Sequence, residues 1–86
     1  MMAYAQHLRN LAALDRLIRG GQSAAPTMAG AIGVTVRTVM RYLEFLREEL
    51  AAPINFDRKH NVWRYTCRWH LSVALGRWMA NKEYMP

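Results

Sequence analysis

Cysteine is nearly missing from this 86-residue sequence. Cys67 stands alone, so no intramolecular disulfide can staple the fold and the core must hold by packing. Long apolar runs are missing too: nothing approaches the roughly 18 residues a membrane-spanning helix needs, and no membrane partner is expected. Met1 to Asn10 holds no hydrophobic secretory segment, which with the single thiol gives the expectation of a cytoplasmic home. Acidic residues are scarce, six against twelve Lys and Arg, for a net charge of +6. Catalytic signatures are missing as well. There is no Gly-x-Ser-x-Gly, no His-Glu-x-x-His and no phosphate-cradling glycine loop, so an enzyme is the least expected class.

What remains is a globular composition. Apolar residues make up 52%, with three Trp, four Tyr and two Phe, which excludes a disordered tail. Eighty-six residues suffice for one core and not for two. A sequence pI near 10.3 is the footprint expected of a nucleic-acid binder. The excess charge is uneven: residues 37–50 balance three Arg against three Glu, whereas residues 51–86 carry six basic groups against two acidic ones.

The spacing of Tyr4, Leu8, Leu11, Leu14 and Ile18 predicts a first helix with one apolar stripe, stopped by Gly20-Gly21. A short second helix starts near Pro26, capped by Ser23 or with Ala25 at the cap, and buries Met28, Ala29 and Ile32. Small Gly30 and Ala31 either permit close helix contact or weaken this helix, and Gly33 ends it. Thr35 is the expected cap of a third helix, its hydroxyl accepting from the backbone N–H of Arg37 or Thr38. Along that helix Val39, Leu43, Leu46 and Leu50 face inward. A step of about 100° per residue then puts Arg37, Arg41, Glu44 and Glu48 on the opposite side. Glu48-Glu49 reads as a solvated helix end, pairing locally with Arg41 or Arg47.

After Pro53 the period changes to two. Ile54 and Phe56 alternate with polar neighbours, as do Trp63 and Tyr65, around a polar loop: a β-hairpin whose tip carries Arg58, Lys59 and His60. Helix, short helix, turn, longer helix and basic hairpin, in that order, predict a winged helix-turn-helix over residues 1–66. Its fold class is mainly α, a three-helix bundle plus a two-stranded wing. Within the turn Ala29 is small where helices cross, Gly33 makes the bend and Val34 plugs the angle.

The string from Ile32 through Gly33-Val34-Thr35-Val36-Arg37-Thr38-Val39-Met40-Arg41 to Arg47 resembles the "LGVSxRTVxRDIExLR" segment of the WYL-domain bacterial transcriptional regulators. More distantly it is similar to the deoxyribonucleoside-repressor and biotin-repressor winged helices. Pro53-Ile54-Asn55-Phe56-Asp57 and Trp63-Arg64-Tyr65 resemble that family's "PIxYDxxxxGYxL" wing, so the likeness spans about residues 8–66. Tyr42 replaces the family's usual Asp, Val36 its common Arg or Lys, and Trp63 stands where Gly is usual. The 20 residues after the hairpin are too few for a WYL sensor domain, and ligand sensing does not carry over.

A recognition helix enters the major groove with its N-terminal residues at base edges, which nominates Thr35, Val36, Arg37, Thr38 and Arg41. Either arginine suits guanine O6 and N7, Thr38 a phosphate or a thymine methyl, and Val36 a methyl. Arg58, Lys59 and His60 on the wing fall on phosphates or in the minor groove, positioning without specifying. The expected function is sequence-specific binding of double-stranded DNA by a small bacterial or phage transcriptional regulator, nucleoid-associated in the cytoplasm. The alternative is a winged-helix protein-interaction module; a third is single-strand or RNA binding, with Trp63, Trp69 and Trp78 as stacking platforms. Cys67, His60 and His70 do not make a four-ligand zinc set, and no metal or cofactor is expected.

Residues 67–86 form an extension. Leu71, Leu75, Trp78 and the stem of Lys82 share a helical face, widened by Val73 and Met79, in a helix capped by Ser72 and running to about Asn81. Two uses stay open for Trp69, Leu71, Leu75, Trp78 and Met79: packing on the first helix, or a homodimer interface that lets two copies read two half-sites.

Overall fold

The chain builds its core by crossing three amphipathic helices and closing one end with a hairpin. In the computed structural model residues 2–84 are described, with side chains from 5 to 81. The elements are α1 (Met2–Arg19), α2 (Ala25–Ile32), α3 (Val36–Glu48), β1 (Ile54–Asp57), β2 (Val62–Tyr65) and α4 (Leu71–Tyr84). The domain is therefore mainly helical, with one two-stranded antiparallel sheet. Leu11, Leu14 and Ile18 of α1, Met28 and Ala29 of α2, and Val39, Leu43 and Leu46 of α3 form the buried centre, floored by Ile54. Leu8 departs from the expected stripe, being 39% exposed near the free end of α1; the side chains of Tyr4 and Lys82 lie outside the described residues.

Two glycines shape the turns. Gly21 and Gly33 take the left-handed backbone, at φ 82° and 84°, where an L side chain is strained. After each, the next amide closes the helix: Gln22 N–H onto Leu17 O and Val34 N–H onto Ala29 O. Gly30 does not mediate helix contact, since a Cβ there would meet nothing; Ala29, 5% exposed, is the small residue at the crossing. The cap of α2 also differs from expectation. Ala24 occupies it without a side-chain bond, and Pro26 supplies the stiff first turn.

Ser23, free of the cap, does something else. It is fully buried; its Oγ donates to Trp63 O at 2.6 Å, and its own carbonyl accepts from Trp63 N–H at 3.1 Å. One residue between α1 and α2 thus extends the hairpin along the open edge of β2. The hairpin register is Ile54 with Tyr65, Asn55 with Arg64, Phe56 with Trp63 and Asp57 with Val62. Ile54, Phe56, Trp63 and Tyr65 share one face as their alternation requires, but only Ile54 is fully buried, and Phe56 is 40% exposed.

A polar clasp ties α1 to the hairpin and the tail. Asp15 accepts from the Tyr65 hydroxyl at 2.6 Å and takes Arg19 Nε on both carboxylate oxygens. Arg19 lies over the Tyr65 ring and donates to Trp69 O at 2.7 Å. Burial, reinforced by the hydrogen bond to Asp15, pushes the Tyr65 phenol well above its usual range, so it stays a donor.

α4 begins at Leu71, one residue before the expected cap, so Ser72 sits inside its first turn. Trp69, Leu71, Leu75 and Trp78 pack against the core of the same chain, Trp78 edge-on to Phe45 with ring centroids 5.2 Å apart. Val73 and Met79, each 50% exposed, do not widen that face. Among the described residues no helix is long and apolar enough to cross a membrane.

Candidate nucleic-acid interface

The outward face of α3 is set by its first residue. Thr35 Oγ1 accepts from Thr38 N–H at 3.1 Å and donates to Thr38 Oγ1 at 3.0 Å, starting the helix with both hydroxyls engaged. Thr35 is therefore a cap, and Thr38, half-buried, keeps only its own hydroxyl proton to offer. Helical phase then separates two sides. Val39, Tyr42, Leu43 and Leu46 are buried, while Val36, Arg37, Met40, Arg41, Glu44 and Glu48 are exposed. Among the described residues neither Arg37 nor Arg41 joins an ion pair of 4.0 Å or less. A guanidinium group suits a planar acceptor pair.

The hairpin stands beside this face. An open hollow of about 310 Å³ runs between α3 and β2, lined by Arg37, Met40, Arg41, Glu44, Arg47 and Trp63 among others. Its contiguous neighbour, about 360 Å³, is lined by Ala25, Pro26, Met40, Phe56, Asn61 and Trp63. Met40 and Trp63 border both, so helix and hairpin present one surface. Arg47 lies over the Trp63 ring, 5.4 Å from its centroid, which holds the hairpin against the helix. The acidic groups do not pair as expected. Glu49 accepts from Trp78 Nε1 at 3.1 Å and so anchors α4.

At the tip, Arg58, Lys59 and His60 are all exposed. They are organised by Asp57. Its Oδ1 accepts from the backbone N–H of Lys59 (3.0 Å) and His60 (3.3 Å), and its Oδ2 from His60 Nδ1 and Arg64 Nε, both at 2.8 Å. The His60 ring bonded to Asp57, with Arg64 beside it, holds that carboxyl down to about 2. His60 is thus committed to building the turn, while Arg58 and Lys59 join no ion pair among the described residues.

Helical phase and alternation locate Arg37, Arg41, Arg58 and Lys59, but four neighbours escape them. Met40 and Phe56 are open, while Arg47 and Asp57 are structural. Tyr42, which the spacing left unassigned, is buried at the α1–α3 contact, where Asn10 Nδ2 donates to its oxygen at 2.9 Å and His7 Nδ1 shares a 2.7 Å hydrogen bond with it. Cys67, His60 and His70 do not converge, and among the described residues no three His, Cys, Asp or Glu side chains cluster to hold a metal ion. Comparison of the chain with protein-family models, with curated proteins and with solved structures finds no match.

Proposed function

We propose that the chain is a winged helix-turn-helix that binds double-stranded DNA sequence-specifically as the reading module of a transcriptional regulator. The observation that carries this reading is the pair Arg37 and Arg41, one helical turn apart on the open face of α3 and in no ion pair among the described residues, beside a hairpin ending in Arg58 and Lys59. Two further features support it. The three residues Gly33-Val34-Thr35 set α3 across α2, and Ser23 pairs with Trp63 as a residual third strand linking hairpin and helices. The net charge of +6 adds long-range attraction to a polyanion.

In this reading α3 enters the major groove N-terminus first. Arg37 and Arg41 donate to guanine edges, at about 1–3 kcal/mol of discrimination for each bidentate contact. Val36 meets a base methyl, and Thr38 donates to a phosphate. Arg58 and Lys59 hold the flanking phosphates, and Asp57 keeps the tip in shape while Arg64 offsets its charge. Thr35 and His60 contribute by building the helix start and the turn. One module of this size buries about 600–1,000 Å² on DNA, so a second copy on an adjacent half-site completes the proposal. Since Trp69, Leu71, Leu75 and Trp78 are turned to their own core, the contact between copies falls to residues still exposed, Leu8, Val73 and Met79.

Selection of bound duplexes from a random pool at fixed salt tests the reading. A consensus with at least one guanine per half-site is expected. Enrichment of no duplex over the starting pool would overturn it.

A further inference from the structure

Six large apolar side chains are exposed among the described residues, and three of them lie on the α3–hairpin side: Val36 (43%), Met40 (42%) and Phe56 (40%). Scattered surface apolar groups are ordinary, but a contiguous patch marks a contact. Here they are contiguous. Val36 and Met40 are stacked one helical turn apart on α3. Met40 and Phe56 both line the 360 Å³ hollow together with Trp63, itself in ring contact with Phe56 at 5.1 Å.

The row runs beside the charged one. Val36 precedes Arg37 and Met40 precedes Arg41, so the helix carries two parallel lines about 100° apart, one of guanidinium groups and one of apolar groups, the latter reaching the hairpin through Met40. A surface binding only phosphates has no use for the second line, which would remain wet. Two chemical groups in the major groove match the pair of lines: the O6 and N7 acceptors of guanine, and the C5-methyl of a pyrimidine, the one apolar group on a base edge there. Resting on the duplex-binding reading above, we propose that Val36 and Met40, walled by Phe56, form a receptor for pyrimidine C5-methyl groups adjacent to the guanines that Arg37 and Arg41 contact. The bound site then contains methyl-bearing pyrimidines next to guanine, and base preference is divided between two rows of one helix. Met40 suits the task because an unbranched thioether adapts to a methyl without a fixed shape.

The C5-methyl has two sources, thymine and 5-methylcytosine, which differ in the O4 acceptor against the N4 donor beside it. The test uses the full chain and the duplexes it selects. In one arm each thymine of the selected site is replaced singly by uracil, which removes only the methyl. In the other, each cytosine is replaced by 5-methylcytosine. Loss of about fourfold in affinity at one or more thymines is expected, the size of one buried methyl. The same chain with Met40→Ala or Val36→Ala, with folding verified by its melting curve, should no longer separate thymine from uracil there. A gain of similar size at a cytosine, abolished by the same substitutions, would support the receptor with modified cytosine as its source. Selective binding of a duplex with no response to either exchange at any position would overturn the inference while leaving duplex binding intact. Response to the exchanges that persists in both Met40→Ala and Val36→Ala would overturn the assignment to this row. Enrichment of no duplex removes both the function and the receptor.

Discussion

The two sides of α3 are built from the same thirteen residues and answer to different demands. On the inner side Val39, Leu43 and Leu46 are at most 2% exposed, and the one polar group, the Tyr42 hydroxyl, is held by Asn10 and His7. On the outer side two arginines join no ion pair among the described residues, and two apolar side chains are left in water. Stability accounts for the first arrangement, because unsatisfied polar groups and voids inside cost more than they do outside. It does not account for the second. A helix surface chosen only for solubility would pair its arginines with Glu four residues away and leave Val36 and Met40 polar. The difference between the sides separates what holds the fold from what is available to a partner.

The largest expected break of this division is on the inner side. Leu46→Ala removes a fully buried side chain and should lower unfolding free energy by about 3 kcal/mol in urea melts. Any loss of duplex affinity should track the unfolded fraction alone. Asp15→Ala comes next. It strips acceptors from Tyr65 and Arg19, so about 2 kcal/mol should be lost and amide exchange in β2 should accelerate. On the outer side, neutralising Arg58 and Lys59 should leave the melt within about 0.5 kcal/mol. Binding to all duplexes should weaken nearly equally, and the slope of log K on log salt should fall by about 0.9 per lost phosphate contact. Altered base preference would instead make the hairpin a reader of sequence.

The smallest effect belongs to the hairpin tip. Asp57 has its carboxyl lowered from 3.8 to about 2, so the folded tip favours the carboxylate and binds fewer protons than the unfolded chain. Its contribution is complete above about pH 4 and is lost as pH falls toward 2. The Lys59 and His60 amide resonances, whose N–H groups Asp57 accepts, should shift in that window, and Asp57→Asn should remove the shift.

Local periodicity made much of this legible. Thr35 as cap, the inward row of α3 and the hairpin with its tip follow from spacings within a few residues, because helix phase and strand alternation are local properties. Tyr42 was within reach of the same reasoning: only about 60° of helix phase separates it from Val39. The inward row read from the spacing, Val39, Leu43, Leu46 and Leu50, left it out. Other features were out of reach. Ser23 in a loop carries no sign that it will pair with a strand forty residues on, and Asp15 none that it will accept from Tyr65. The same holds for the tail. Periodicity marks Leu71, Leu75 and Trp78 as one face, but which surface covers it depends on how α1 and α3 cross. Exposed Phe56 was missed because it belongs to an alternation whose inner member Ile54 is buried, and a pattern does not say where burial stops; Met40 lies outside the inward row of α3 and carried no signal of its own.

In the proposed complex Arg37 and Arg41, which join no ion pair among the described residues, read base edges. Titration of the selected duplex and of a scrambled duplex of equal length, at one salt concentration, with the native chain, Arg37→Ala and Arg41→Ala measures it most directly. On the selected duplex each substitution should cost on the order of tenfold or more, with the affinity for the scrambled duplex and the melting temperature little changed. Equal affinity of all three proteins for the selected duplex would contradict the claim.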